Sequence, residues 1–233
     1  MARWQRDFTR NTAYSRRSAL KKVLRWYEHT TGLRGLVEAV PRVKGPTQRH
    51  VVARPDELDA LHRVAGPFER IWLRISVALA LRQSDVRRLS AEHYDAESKT
   101  VSLIQTKTGE PIKLPVPDDL AAIFEAAPDF GDPAMPFLQR YNRTRPVTPS
   151  AISCRWSRMK RLAGVRPEVT PHDLRRTTAT ATYEVSNHDL RVVQQLLGHQ
   201  SMRPTVAYLA QHDPAALRPL LAQLWKPVTE VEQ

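Results

Sequence analysis

Apolar residues recur along most of the chain at three- and four-residue steps, interrupted once by two-residue alternation, and this rhythm lays out the elements. In residues 11–30, Ala13, Leu20, Val23, Leu24 and Tyr27 alternate with Arg16, Arg17, Lys21, Lys22 and Arg25, predicting an amphipathic helix ended by Gly32 and Gly35. One such helix cannot bury its stripe alone, so it needs the main domain, further helices or another subunit. Residues 39–54, with Pro41, Gly45 and Pro46, read as a linker. Helical spacing returns at 55–65 (Leu58, Leu61, Val64) behind a Pro-Asp-Glu start, and at 67–80 (Phe68, Ile71, Ile75, Leu79). Ser84 is placed to cap a short helix over 85–89. Residues 100–105 and 111–116 suit two strands joined by a hairpin at 106–110. Helices follow at 120–127, 149–162 (capped at Gly164), 171–183 and 189–197 (closed by Gly198), with 128–147 as loop. A helix around Tyr208 and another at 214–224 precede a loose end. The fold class expected is mostly α with a small antiparallel β-sheet, an α+β body.

The charge balance changes the picture. The 233 residues have an ordinary apolar share of 41% but a formal net charge of +12. That excess implies a polyanionic partner or an anionic surface. It is also uneven: residues 1–50 carry twelve Lys and Arg against three acids, and 140–176 carry ten against two. Two basic blocks separated in sequence can form one DNA footprint or line two sides of a groove, the plainer alternative being two solvated surfaces. The single cysteine, Cys154, excludes an intrachain disulfide and reads as a small buried residue. Trp26, Trp72 and Trp156 read as packing residues, and Arg176 as a surface or DNA-backbone contact. No stretch approaches 18 uncharged apolar residues and the amino terminus lacks an apolar run, so a soluble cytoplasmic protein is expected.

Candidate chemistry gathers in the last third. His172 and Arg175 are three apart and share one helix face; Leu197-Gly198-His199 closes the next helix, and Tyr208 follows nine residues later. Upstream, Arg82 ends a buried helix and Lys107 sits at the hairpin tip, from which a long cation can reach a ligand. Two guanidiniums can clamp the non-bridging oxygens of a phosphodiester, an effect that grows as charge gathers there in the transition state. Tyr208 would be the nucleophile; a phenol of pKa about 10 needs a base or a cationic setting to attack at neutral pH. His172 suits that proton transfer, His199 can hydrogen-bond the phosphate or the phenol, and Lys107 suits protonation of the departing 5′ oxygen. These six groups require neither a metal nor another cofactor, and the sequence has no obvious two-carboxylate cluster of the kind a two-metal nuclease uses.

In order, these elements resemble the tyrosine recombinases of the phage integrase family. Arg82 followed by Ser84-Asp85 matches the first arginine box, Gln105-Thr-Lys107-Thr-Gly the hairpin lysine, Thr170-Pro-His172-Asp-Leu-Arg175 the His-x-x-Arg box, and Leu197-Gly-His199 with Tyr208 the last. The resemblance covers roughly residues 50–225. It implies strand cleavage through a 3′-phosphotyrosine and religation by a free 5′-hydroxyl, without ATP or metal. It also implies double-stranded DNA as partner, a tetramer as the working assembly, no membrane, and association with the nucleoid when bound.

Two departures stand out. Leu79-Ala80-Leu81-Arg82 replaces the usual Thr-Gly-x-Arg, which leaves room for a small shift of Arg82. At the amino terminus only residues 11–30 resemble part of the core-binding domain, its last helix. The organisation expected is therefore an arm at 1–38 as a remnant of that domain, a linker at 39–54, a catalytic domain at 55–225 and a tail at 226–233. Other readings are a DNA-binding regulator or competitor with the same fold but no strand exchange, and a type IB topoisomerase-like relaxing enzyme.

Overall fold

The computed structural model describes residues 9–45, 51–142, 144–201 and 205–206. The chain divides into two compact units between residues 49 and 50. The first holds α1 (Arg10–Thr31) and the four-residue α2 (Leu36–Ala39). Thr9 caps α1, and Gly32 ends it in the left-handed conformation, φ 75°, where a side chain would be strained. Glu28 Oε1 accepts the N–H groups of Leu36 (2.6 Å) and Val37 (3.1 Å), satisfying the otherwise open start of α2. Ala13, Val37 and Val40 are buried, whereas Leu20, Val23 and Trp26 are exposed. Trp26 is therefore not a packing residue.

The second unit packs helices around one small sheet. α3 (Pro55–Val64) lies against α8 (Pro149–Ala163), and α4 (Pro67–Ala78) against α9 (Pro171–Val185), which also carries α10 (Leu190–Leu197). Their apolar stripes meet in a continuous core with Trp72 at its centre, edge-on to Trp156 at 5.8 Å between ring centroids. Three short antiparallel strands follow a 3-10 turn at Ala91–His93: β1 (Tyr94–Asp95), β2 (Thr100–Ile104) and β3 (Pro111–Pro115), in that order. The register pairs Val101 with Leu114 and Leu103 with Ile112, which puts all four apolar side chains on the covered face. α5 (Gln83–Arg88), α6 (Asp118–Glu125) and α7 (Phe137–Arg140) complete the described elements.

Several boundaries differ from the sequence reading. The cap of α5 is Arg82, not Ser84: the Arg82 carbonyl accepts Asp85 N–H (2.8 Å) and Val86 N–H (2.9 Å), so the helix starts two residues earlier. α2, α7 and β1 fell in segments read as loop or linker, or were left unassigned. Each has four residues or fewer, too short for a periodic signal. Cys154 is exposed, because it lies on the outer side of α8 opposite Ile152, Trp156 and Met159. Arg176 is partly covered: its side chain is 11% exposed and lies 3.9 Å from Asp173. The helix expected around Tyr208, the helix at 214–224 and the tail lie outside the described residues, apart from the helical turn at Thr205 and Val206.

Candidate active site

The turn between α4 and α5 sets the first arginine. Leu79, Ala80 and Leu81 are completely or almost completely buried, which pins the backbone on both sides of Ala80. Ala80 takes φ 47°, a left-handed conformation that costs a residue with a Cβ about 1–2 kcal/mol and glycine nothing. The alanine thus accepts the backbone shape that glycine adopts freely, and Arg82 follows in extended geometry at the head of α5. Behind it, Trp72 Nε1 donates to Gln83 Oε1 (2.7 Å), fixing the first residue of α5 to the core.

The hairpin between β2 and β3 is tied to that helix. Asp85, fully buried, accepts both the backbone N–H (2.9 Å) and the hydroxyl (2.6 Å) of Thr106. Asp85 of the first box thus anchors the turn that carries Lys107, while Lys107 itself is exposed. Gln105, next to that turn, is 1% exposed; its Oε1 accepts from Arg82 Nη1 and its Nε2 donates to the Leu197 carbonyl (3.0 Å).

α9 begins with a carboxylate at its third position that holds the capping residue: the N–H and hydroxyl of Thr170 both donate to Asp173 Oδ2, at 2.8 and 2.6 Å. Pro171 at the first helical position adds a preset φ. His172 is exposed on the first turn and Arg175 is 1% exposed on the next. Arg175 Nη1 donates to the Ala80 carbonyl (2.5 Å) and Nη2 to the Leu197 carbonyl (2.7 Å). One guanidinium therefore joins the turn before Arg82 to the end of α10. Gly198 then reverses the chain at φ 57°, and a Cβ there would lie 2.5 Å from Gln105 Nε2. The close approach of the glutamine and the left-handed turn both require glycine. His199 follows, with Nδ1 3.0 Å from Thr205 Oγ1.

The described residues thus join Arg82 and Arg175 in one hydrogen-bonded network, with His199 on the turn that follows Leu197, His172 beside it and Lys107 on the adjoining turn. Tyr208 lies outside the described residues. Gln105, Asp85 and Thr205 were not singled out as functional from the sequence. Gln105 and Asp85 were visible only as polar members of the quoted motifs, and nothing in the spacing distinguished them from solvated residues.

Charge in the site is managed by its own cations. Loss of water and then the guanidiniums of Arg175, Arg176 and Arg82 hold His172 below its ordinary pKa, against an opposing Asp173. His199 is pushed down to about 4, by burial first and by Arg175 and Arg82 next. Both rings are therefore neutral near pH 7 and can accept a proton. The consequence for stability has a definite sign. Folded His199 binds its proton less tightly than the unfolded residue (about 6.5), so its contribution is fully present above that value. It is lost as pH falls from about 6.5 toward the folded value of about 4. Unfolding free energies from urea titrations across this range should fall less for His199→Gln than for the parent, by on the order of 1–3 kcal/mol in total. Parallel curves would show that the ring is not held neutral.

The chain is similar to several known proteins. The chain is 28% identical over 211 residues to the tyrosine recombinase XerA of Thermococcus kodakarensis, a match covering 85% of this chain and 72% of that one. A lambda integrase dimer bound to a COC′ core site superposes with a TM-score of 0.68 at 19% identity, over 86% of this chain and 61% of that one. A lambda integrase tetramer bound to a Holliday junction gives 0.62 at 17%, over 86% and 60%. At these structural identities the likeness is one of fold. The family model of the phage integrases matches residues 52–214, which contain all four boxes, and the chain belongs to that family.

Proposed function

We propose that the protein is a site-specific DNA recombinase that cuts and rejoins strands through a 3′-phosphotyrosine, with Tyr208 as nucleophile. The observation that carries this reading is the buried Arg175, which draws the Arg82 turn and the His199 turn together through the carbonyls of Ala80 and Leu197. Few reasons other than anion recognition would gather Arg82, Arg175, His172 and His199 with so few acids among them.

In this mechanism the scissile phosphate lies between Arg82 and Arg175, whose guanidinium charges stabilise its oxygens as the phosphorus becomes five-coordinate. The Tyr208 oxygen attacks phosphorus, and its proton passes to neutral His172. The bond from phosphorus to the 5′ oxygen breaks, and the Lys107 ammonium supplies the proton that makes a 5′-hydroxyl. His199, with Nδ1 accepting from the Thr205 hydroxyl, carries its proton on Nε2 and donates it to a phosphate oxygen. Religation runs the same steps backward with a 5′-hydroxyl from a second strand and returns both protons. Neither nucleotide hydrolysis nor a metal ion enters the sequence of steps. The net charge of +12 supports duplex DNA as substrate, and the tetrameric lambda integrase offers a precedent for assembly on four-way DNA.

The test uses randomised duplexes nicked beside the cleavage position, so that the short released strand diffuses away and traps the intermediate. A protein–DNA adduct that survives denaturation, with the DNA attached to the peptide containing Tyr208, is the expected result. If no bound duplex yields an adduct, the protein is a DNA-binding member of the fold without strand exchange.

A further inference from the structure

Within the second unit one buried polar side chain touches three of the four boxes and has so far been given no role in the reaction. Gln105 lies directly after β2, 1% exposed, at the foot of the turn that carries Lys107. Its Oε1 accepts from Arg82 Nη1 and from the Thr108 hydroxyl (3.0 Å), and its Nε2 donates to the Leu197 carbonyl (3.0 Å). Its backbone closes the turn as well, with N–H donating to the Glu110 carbonyl (2.7 Å) and C=O accepting Gly109 N–H (2.9 Å). A buried amide is costly unless its donors and acceptors are matched. Here the matching is asymmetric: an acceptor must face the guanidinium, and a donor must face the carbonyl. A carboxylate would set oxygen against the Leu197 oxygen, an asparagine would fall one methylene short, and an aliphatic side chain would leave Arg82 unguided.

We propose that Gln105 is a positioning residue of the proposed cleavage reaction. It aims the Arg82 guanidinium at the phosphate and locks the Lys107 turn in register with the Arg175–Leu197–His199 segment. The inference rests on the recombinase reading given above. Its surroundings are consistent with positioning rather than bulk support. Without Gln105, the Leu197 carbonyl keeps its bond from Arg175 Nη2, and half-buried Arg82 keeps access to water. The Thr106 end of the turn also remains fastened to Asp85. What disappears is the link that fixes one cation relative to the others. Reacting groups displaced by about 1 Å can cost on the order of 100-fold in rate.

The experiment compares the parent with Gln105→Ala and Gln105→Glu on a nicked duplex selected for adduct formation by the parent. Single-turnover adduct rates are measured at saturating protein, alongside DNA affinity and thermal unfolding. Both variants should lose at least about tenfold in rate while affinity stays within about threefold and unfolding remains cooperative. Gln105→Glu should not rescue the rate, because the Leu197 carbonyl needs a donor. An unchanged rate in either variant would overturn the role, and so would a rate that falls only in proportion to the folded fraction. Failure of the parent itself to form an adduct on any duplex is a separate outcome, which overturns the recombinase reading and this role with it.

Discussion

Tyr208→Phe should abolish the covalent adduct while changing DNA affinity by no more than about twofold. The substitution removes one oxygen and leaves the ring, so the shape and apolar contacts of the side chain are kept. A lost hydroxyl–phosphate hydrogen bond is worth about 1 kcal/mol or somewhat more, against the many phosphate contacts that a basic DNA-binding surface makes. Catalysis has no such reserve. Removing a general acid or base lowers a rate by roughly 10²–10⁴ and leaves a residue of activity, but removing the nucleophile removes the bond that defines the intermediate. Water entering the vacated space would give a nick without attached protein. The denaturing gel separates the outcomes: adduct from the parent and none from the variant, with gel-shift midpoints alike. A full-strength adduct from Tyr208→Phe would move the nucleophile to another residue and dismantle the assigned roles.

How far this site was legible in the sequence depended on the range of the interactions that build it. Local signals worked: periodicity in 55–65 and 67–80 produced helices at Pro55–Val64 and Pro67–Ala78, and Gly164 and Gly198 end helices as left-handed caps. The two strand segments gave the hairpin, and the structure adds its buried face of Val101, Leu103, Ile112 and Leu114. What failed needed partners from elsewhere in the chain. Ala80 could not be recognised as left-handed, because its strain is held by the burial of Leu79 and Leu81 and by a bond from a guanidinium 95 residues away. His172 and Arg175 share a helix face, as their spacing required, yet one is exposed and the other almost fully covered. Spacing fixes direction around the helix axis but not the depth of the surface above each position. Gln105 was quoted only as part of the lysine box, since a glutamine beside a turn usually faces water. Trp26 and Cys154 erred in the same direction, both read as covered and both exposed, residue type being a poor guide to exposure when the covering element is unknown.

Arg175→Ala should lower both stability and cleavage, and by more than loss of a phosphate contact alone would predict. Arg175 is one of the largest fully buried side chains among the described residues, and its terminal nitrogens hold the Ala80 and Leu197 carbonyls. Removing it opens a space the size of a long side chain and strips Ala80 C=O of a charged donor. Loss of one member of a buried charged hydrogen-bond network costs about 3–5 kcal/mol, a large share of the roughly 5–15 kcal/mol that holds a typical domain together. Near 2–4 °C per kcal/mol for a unit of this size, the melting midpoint should drop by about 6–20 °C. Arg175→Lys would keep the charge, but a single ammonium cannot reproduce the fork that spans the two carbonyls, so it should fall between parent and alanine in both measurements. The electrostatic consequence provides a signature independent of activity. Arg175 helps depress His199, after burial, and His172 likewise. In Arg175→Ala both imidazoles should therefore titrate at higher pH, as read from their ring proton resonances. That would place His199 closer to protonation under the conditions of the reaction and deprive His172 of part of the cationic field that keeps it a ready base. If the variant melted with the parent and both histidines titrated unchanged, Arg175 would be an isolated phosphate contact, and the frame that joins the Arg82 and His199 turns would have to be held by something else.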